Sequence, residues 1–105
     1  MKYLVKVTLD TETTNATIRD GSMMEKTQRI LGEIKPEAAY FVAENGGRTE
    51  YLVVNVDDAT SLQTLAEPWW LLFKADVSIF PAFTLQDMES LGPIIEDVAK
   101  KFGHG

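Results

Sequence analysis

Residues Pro36 to Val56 constrain this chain more than any other stretch, because they read as a β-hairpin whose arms are apolar on both faces. Two runs rich in Val, Tyr, Phe and Leu are separated by Asn45-Gly46-Gly47, residues that accept the positive φ of a tight hairpin turn. A two-residue Gly46-Gly47 turn flanked by Asn45 and Arg48 sets Phe41 opposite Leu52 and Ala39 opposite Val54 on one face. On the other it sets Tyr40 opposite Val53 and Val42 opposite Tyr51. Two apolar faces need two covers.

The rest of the chain supplies the elements for one sheet. Lys2 to Leu9 alternates, with Tyr3, Val5, Val7 and Leu9 directed to a core. A helical pattern then runs from the capping residues Thr11 to Asn15 as far as about Ile34. Asp20-Gly21 interrupts it, and Ser22-Met23-Met24-Glu25 has the form of a capping box, so the helix is bent or restarted at Ser22. Pro36 ends it. After the hairpin, Asp57 to Ser61 opens a short helix through Leu62, Leu65 and Ala66, and Pro68 starts a new turn that carries Trp69 and Trp70. Ala75 to Phe83 alternates again, and Pro81 marks an edge strand or its end. Thr84 to Asp87 is a second capping-box pattern. It opens a last helical stretch through Met88, Leu91, Ile94, Ile95, Val98 and Phe102, interrupted at Gly92-Pro93 and ended by Gly103 ahead of a frayed tail.

The order strand, helix, strand, strand, helix, strand, with an added helix, predicts an α+β fold: a ferredoxin-like βαββαβ sandwich in which helices cover one face of an antiparallel sheet. At 105 residues the chain is read as a single domain, 1–105. The second face carries Leu4, Lys6 and Thr8, then Tyr40, Val42 and Glu44, then Thr49, Tyr51 and Val53, and finally Asp76, Ser78 and Phe80. So much apolar surface usually marks an interface, and a second copy of the same sheet is its simplest cover.

Composition removes several function classes. Sixteen acidic against ten basic residues, with no basic run, argues against a nucleic-acid or anionic-membrane partner. Cysteine is absent and the one histidine, His104, lies in the tail, so Cys-ligated metals, thiolate catalysis and a Ser-His-Asp triad are not expected. No cofactor and no metal are expected, since the acidic residues lack EF-hand spacing. The amino terminus lacks the apolar core of a signal peptide, and no apolar run nears the roughly 20 residues needed to span a bilayer. The default expectation is a cytoplasmic protein.

The strings Asn15-Ala16-Thr17-Ile18-Arg19-Asp20-Gly21-Ser22, Lys35-Pro36-Glu37-Ala38-Ala39-Tyr40-Phe41 and Ala66-Glu67-Pro68-Trp69-Trp70 resemble a bacterial family of uncharacterised small proteins of the dimeric α+β barrel superfamily. That resemblance implies a homodimer, or a higher oligomer built from it, in which two ferredoxin-like sheets pack face to face, with a cavity between sheet and helices. It implies no particular activity. The superfamily includes isomerases, cofactor-free monooxygenases, haem-degrading enzymes and small stress proteins. The histidine of the haem-binding members has no counterpart here.

Three groups of residues could carry chemistry. Lys6, Glu44 and Asp76, with Thr8, Tyr40, Tyr51 and Ser78 on the same face, could set a carboxylate and an amine in a desolvated cleft, or could bridge a dimer. Arg19, beside the restart at Ser22, could hold an anion or form a solvated pair with Asp20. Trp69 and Trp70 point about 100° apart on a helix, so one belongs to the core and the other could wall a pocket with Tyr40 and Phe80, or pack at a seam. The primary expectation is a homodimer that binds a small apolar or anionic molecule. The alternatives are a cofactor-independent isomerase or monooxygenase using Glu44 or Asp76 as base, and a ligand-free interaction subunit.

Overall fold

The computed structural model describes residues 1–103, and the expectation for the tail at His104 lies outside them. In chain order the elements are β1 (Lys2–Thr8), α1 (Thr11–Arg19), α2 (Met23–Ile34), β2 (Ala38–Glu44), β3 (Gly47–Asn55), α3 (Ala59–Phe73), β4 (Asp76–Pro81) and α4 (Leu85–Phe102). The strands form one antiparallel sheet in the order β2-β3-β1-β4. This is a mixed α+β fold of ferredoxin-like character. Pro81 closes β4 on an edge, where its missing N–H costs no ladder bond.

The hairpin turn is displaced by one residue from the expected position. Asn45 (φ 51°) and Gly46 (φ 76°) form the turn, and Glu44 pairs with Gly47. Positive φ at both central residues is the type I′ pattern that Asn-Gly favours, and its twist matches the strands. Phe41 therefore faces Glu50 instead of Leu52, and Tyr40 faces Tyr51 instead of Val53. Moving the turn by one residue moves the pairing by two. Every side chain keeps its expected face.

One face of the sheet meets helices. Val5, Val7, Leu52 and Val54 project onto Ile30 of α2 and onto Leu65, Trp69 and Phe73 of α3, and all of these are buried. The Trp69 and Phe73 rings lie 6.0 Å apart at 32°, one helical turn from each other. The other face has no helix over it. Tyr40 is 63% exposed there and Phe80 49%.

Three helix expectations change in detail. The first helical region is two helices, divided where Gly21 takes φ 80°, but the Ser22 side chain makes no cap bond; Asp20 instead accepts from the Ser22 N–H at 2.8 Å. Lys35, directly before Pro36, ends α2 in the left-handed region. Pro68 does not restart a helix. It lies inside a continuous α3 that is pinned to the core on both sides of the proline, by Leu65 and Ala66 before it and by Trp69 and Phe73 after it. Burial of those side chains outweighs the roughly 3 kcal/mol that an interior proline costs. Gly92-Pro93 likewise fails to break α4, whose amino end carries the expected capping box between Thr84 and Asp87.

The turn geometry separates two adjacent glycines experimentally. Gly46→Ala forces a Cβ into a positive-φ position and should lower unfolding free energy by about 1 kcal/mol in urea titration. Gly47→Ala, whose Cβ would make only ordinary contacts near the Glu44 carbonyl and Thr8, should cost less than half as much.

Candidate functional site

Strand alternation that buries Leu52 and Val54 also turns Glu50 inward. Glu50 is 3% exposed, and its Oε2 has no hydrogen-bond partner. Its pairing neighbours are Val7 and Phe41, so the carboxyl group is flanked by hydrocarbon. Burial alone pushes its pKa from 4.5 up to about 7.

Glu50 borders a cavity of about 620 Å³ between α2 and the tip of the β2–β3 hairpin. Met23, Met24 and Leu31 of α2 face Phe41, Val42 and Ala43 of β2 across it, with Leu9 also in the wall. Thr27, Gln28, Arg48 and Glu50 are its polar members, and among the described residues Arg48 makes no ion pair. Residues of the outer strand β2 stay open to this cavity. Phe41 remains 60% exposed. An apolar cleft with one deep carboxyl and one half-buried guanidinium can hold a small molecule and exchange a proton with it.

The expected site residues lie elsewhere. Tyr40, Tyr51, Lys6 and Ser78 form one cross-strand row on the uncovered face, and Asp76 pairs with Thr8 in the next row. Two members of that row meet Glu44 from the end of β2: the Tyr51 hydroxyl donates to one Glu44 oxygen and the Lys6 ammonium to the other. The hydrogen bond from Lys6, then that from Tyr51, holds the Glu44 carboxyl below its ordinary range, while Glu44 raises both Lys6 and Tyr51. Glu44 is thus stabilised as an anion, which weakens it as a proton acceptor. Ser78 and Asp76 are exposed on the edge strand, and neither joins a hydrogen bond within this cluster. Arg19 is exposed at the carboxyl end of α1, away from the cavity lining. Trp69 is fully buried in the core and Trp70 is 39% exposed, and neither lines the cavity.

A family model for a domain of unknown function, DUF3303, matches residues 1–93. The chain belongs to the DUF3303 family. No curated protein matches it. Among solved structures it is similar to a crystal structure of an unknown protein from Galdieria sulphuraria, with 16% identity over 80% of this chain and a TM-score of 0.48. The match spans 46% of that longer chain. Family membership attaches no chemistry to Glu50, which stands on its geometry.

Glu50 was legible in principle. Glu50 has the same parity as Leu52 and Val54, so a carboxylate in that register is a polar break in an inward-facing row. The expected grouping of polar residues by the uncovered face passed over it.

The raised Glu50 pKa has a defined linkage to stability. The unfolded chain loses this proton near 4.5 and the folded chain near 7, so stability falls as pH rises between the two and is level outside them. From about pH 5 to about pH 8 the loss from this group should approach about 3 kcal/mol, and Glu50→Gln should abolish it and stabilise the protein at the upper end. Urea unfolding of both proteins across that range measures the difference. The helix-cap carboxylates Asp10, Asp58 and Asp87, held low by hydrogen bonds from Thr13, from Thr60 and Ser61, and from Thr84, act in the opposite sense and only at lower pH.

Proposed function

We propose that this protein binds a small, mostly apolar molecule in the cavity between α2 and the β2–β3 hairpin, with Glu50 as its polar anchor. The supporting observation is the partnerless, buried Glu50 carboxyl at that wall. A buried polar atom left unpaired costs about 1–3 kcal/mol, and a ligand group that donates to Oε2 would recover much of it. Arg48 gives the same ligand a second polar contact if it carries an anionic oxygen.

The same carboxyl supports the enzymatic alternative better than Glu44 does. A group that titrates near neutrality can take a proton from a carbon beside a carbonyl and return it at another position, with Arg48 steadying the enolate oxygen between the two steps. Binding precedes either outcome, so binding is the primary reading.

In this reading a second copy covers the open sheet face. Leu4, Val53, Tyr40 and Phe80 supply the apolar area, and the Lys6–Glu44–Tyr51 cluster is neutralised within itself, so burying it strands no unpaired charge. Phe80→Asp should then halve the sedimentation mass of the assembly at micromolar concentration. An unchanged mass would count against the face as an interface.

The chain's four methionines provide an internal test of the cavity. Met23 and Met24 line it, whereas Met1 and Met88 do not. With methyl-labelled methionine, titration with an aromatic amine such as tryptamine and an aromatic acid such as naphthoate should shift the Met23 and Met24 signals saturably and leave Met1 and Met88 in place. Glu50→Leu should weaken the better ligand at least tenfold. Equal shifts at all four methyls would indicate non-specific association and overturn the assignment.

A further inference from the structure

Helix α4 has no buried residue over its 18 positions, and the molecule is 59 Å long by 28 and 21 Å because this helix extends from the body. An isolated helix of that length is marginal in water, and Gly92 and Pro93 at its centre weaken it by about 1 and about 3 kcal/mol. A Cβ at Gly92 would touch nothing in its own chain, so the fold of one copy gives no reason for glycine there. The apolar residues are ordered nonetheless. Met88, Leu91, Ile95, Val98 and Phe102 follow spacings of three, four, three and four, the seam of a coiled coil.

We propose that α4 pairs antiparallel with α4 of a second copy, about a two-fold axis beside Pro93. In heptad terms Met88, Ile95 and Phe102 are at a, and Leu91 and Val98 at d. The antiparallel register then sets Met88 against Val98 of the other copy and Leu91 against its Ile95. At the flanking g positions Asp87 meets Lys101 of the other copy, and Ile94 meets its own equivalent. At the e positions Leu85 meets the small Ala99, and Gly92 meets Gly92, which lets the backbones approach where the helices cross. Pro93 is at f, facing away from the seam. Charge, size and hydrophobicity are matched by one register. A parallel pair would instead leave Asp87 at g against Gly92 at e of the other copy, with no basic partner.

The body also has a place for the end of the incoming helix. A cleft of about 300 Å³ at the root of α4, lined by Met1, Pro81, Phe83, Leu91 and Ile94, lies where the register brings Phe102 of the other copy. Phe102 is otherwise 75% exposed.

Because the chain lacks cysteine, a disulfide can report the register directly. Leu91→Cys and Ile95→Cys are made separately, then exposed to oxidised glutathione alone and as an equal mixture. The proposal expects a covalent dimer in the mixture that joins one variant to the other, and little dimer from either alone. Self-linking of each variant at the same rate as the mixture, or no linking in the mixture, would overturn it. Hydrogen exchange on the unaltered chain gives a second measurement that does not depend on substitution. Slow exchange over residues 88–102 that quickens on dilution supports the pairing, and fast exchange at every concentration refutes it.

Discussion

A four-stranded sheet has two faces, and this chain spends its core-forming helices on one of them. Trp69 and Phe73 of α3, with Ile30 of α2, press onto Val5, Val7, Leu52 and Val54, and this one-sided burial fixes where every other feature falls. Apolar burial of that kind, worth about 1.5–3 kcal/mol per large side chain, is what keeps α3 continuous through Pro68. It also leaves the opposite face, with Tyr40 and Phe80, without a cover from the same chain. The two faces therefore carry different electrostatics as well as different packing.

On the uncovered face charges neutralise each other at the surface. Lys6, Glu44 and Tyr51 share hydrogen bonds near water, and the effect is to keep Glu44 ionised. On the covered face a single carboxyl has been taken from water without a partner, and the effect is to keep Glu50 partly protonated near neutrality. Two glutamates six residues apart in one hairpin thus acquire opposite chemical characters from their environments. The buried one costs stability, and groups perturbed in this way cluster at functional sites.

Helix α4 poses the converse problem. It has a complete capping box and a regular apolar stripe, and it also has a glycine and a proline that a free helix would not favour. Those features conflict while the helix stands alone and agree once a second helix crosses at Gly92. Consistency between local sequence and packing is the mark of a specified structure, and for α4 the proposed pairing is what would supply it.

Much of this was written in residue order alone. Alternation in Lys2 to Leu9 and in the hairpin determined which side chains face the helices, because a pleated strand has a period of two whatever its partner. The capping residues at Asp58 and Thr84 determined where α3 and α4 begin, whereas α1 is capped by Asp10, just ahead of the expected caps Thr11 to Asn15. Tertiary structure decided the rest. The turn settled on Asn45-Gly46, since both residues must take positive φ and the pair Gly46-Gly47 offers no better twist. Which tryptophan is buried depended on how α3 rolls onto the sheet, a rotation that adjacent residues cannot reveal. The solitude of Glu50 depended on tertiary packing: strand parity pointed the carboxyl inward, but only the folded chain, in which Glu50 is 3% exposed and its Oε2 unpaired, showed that no basic side chain among the described residues comes to meet it.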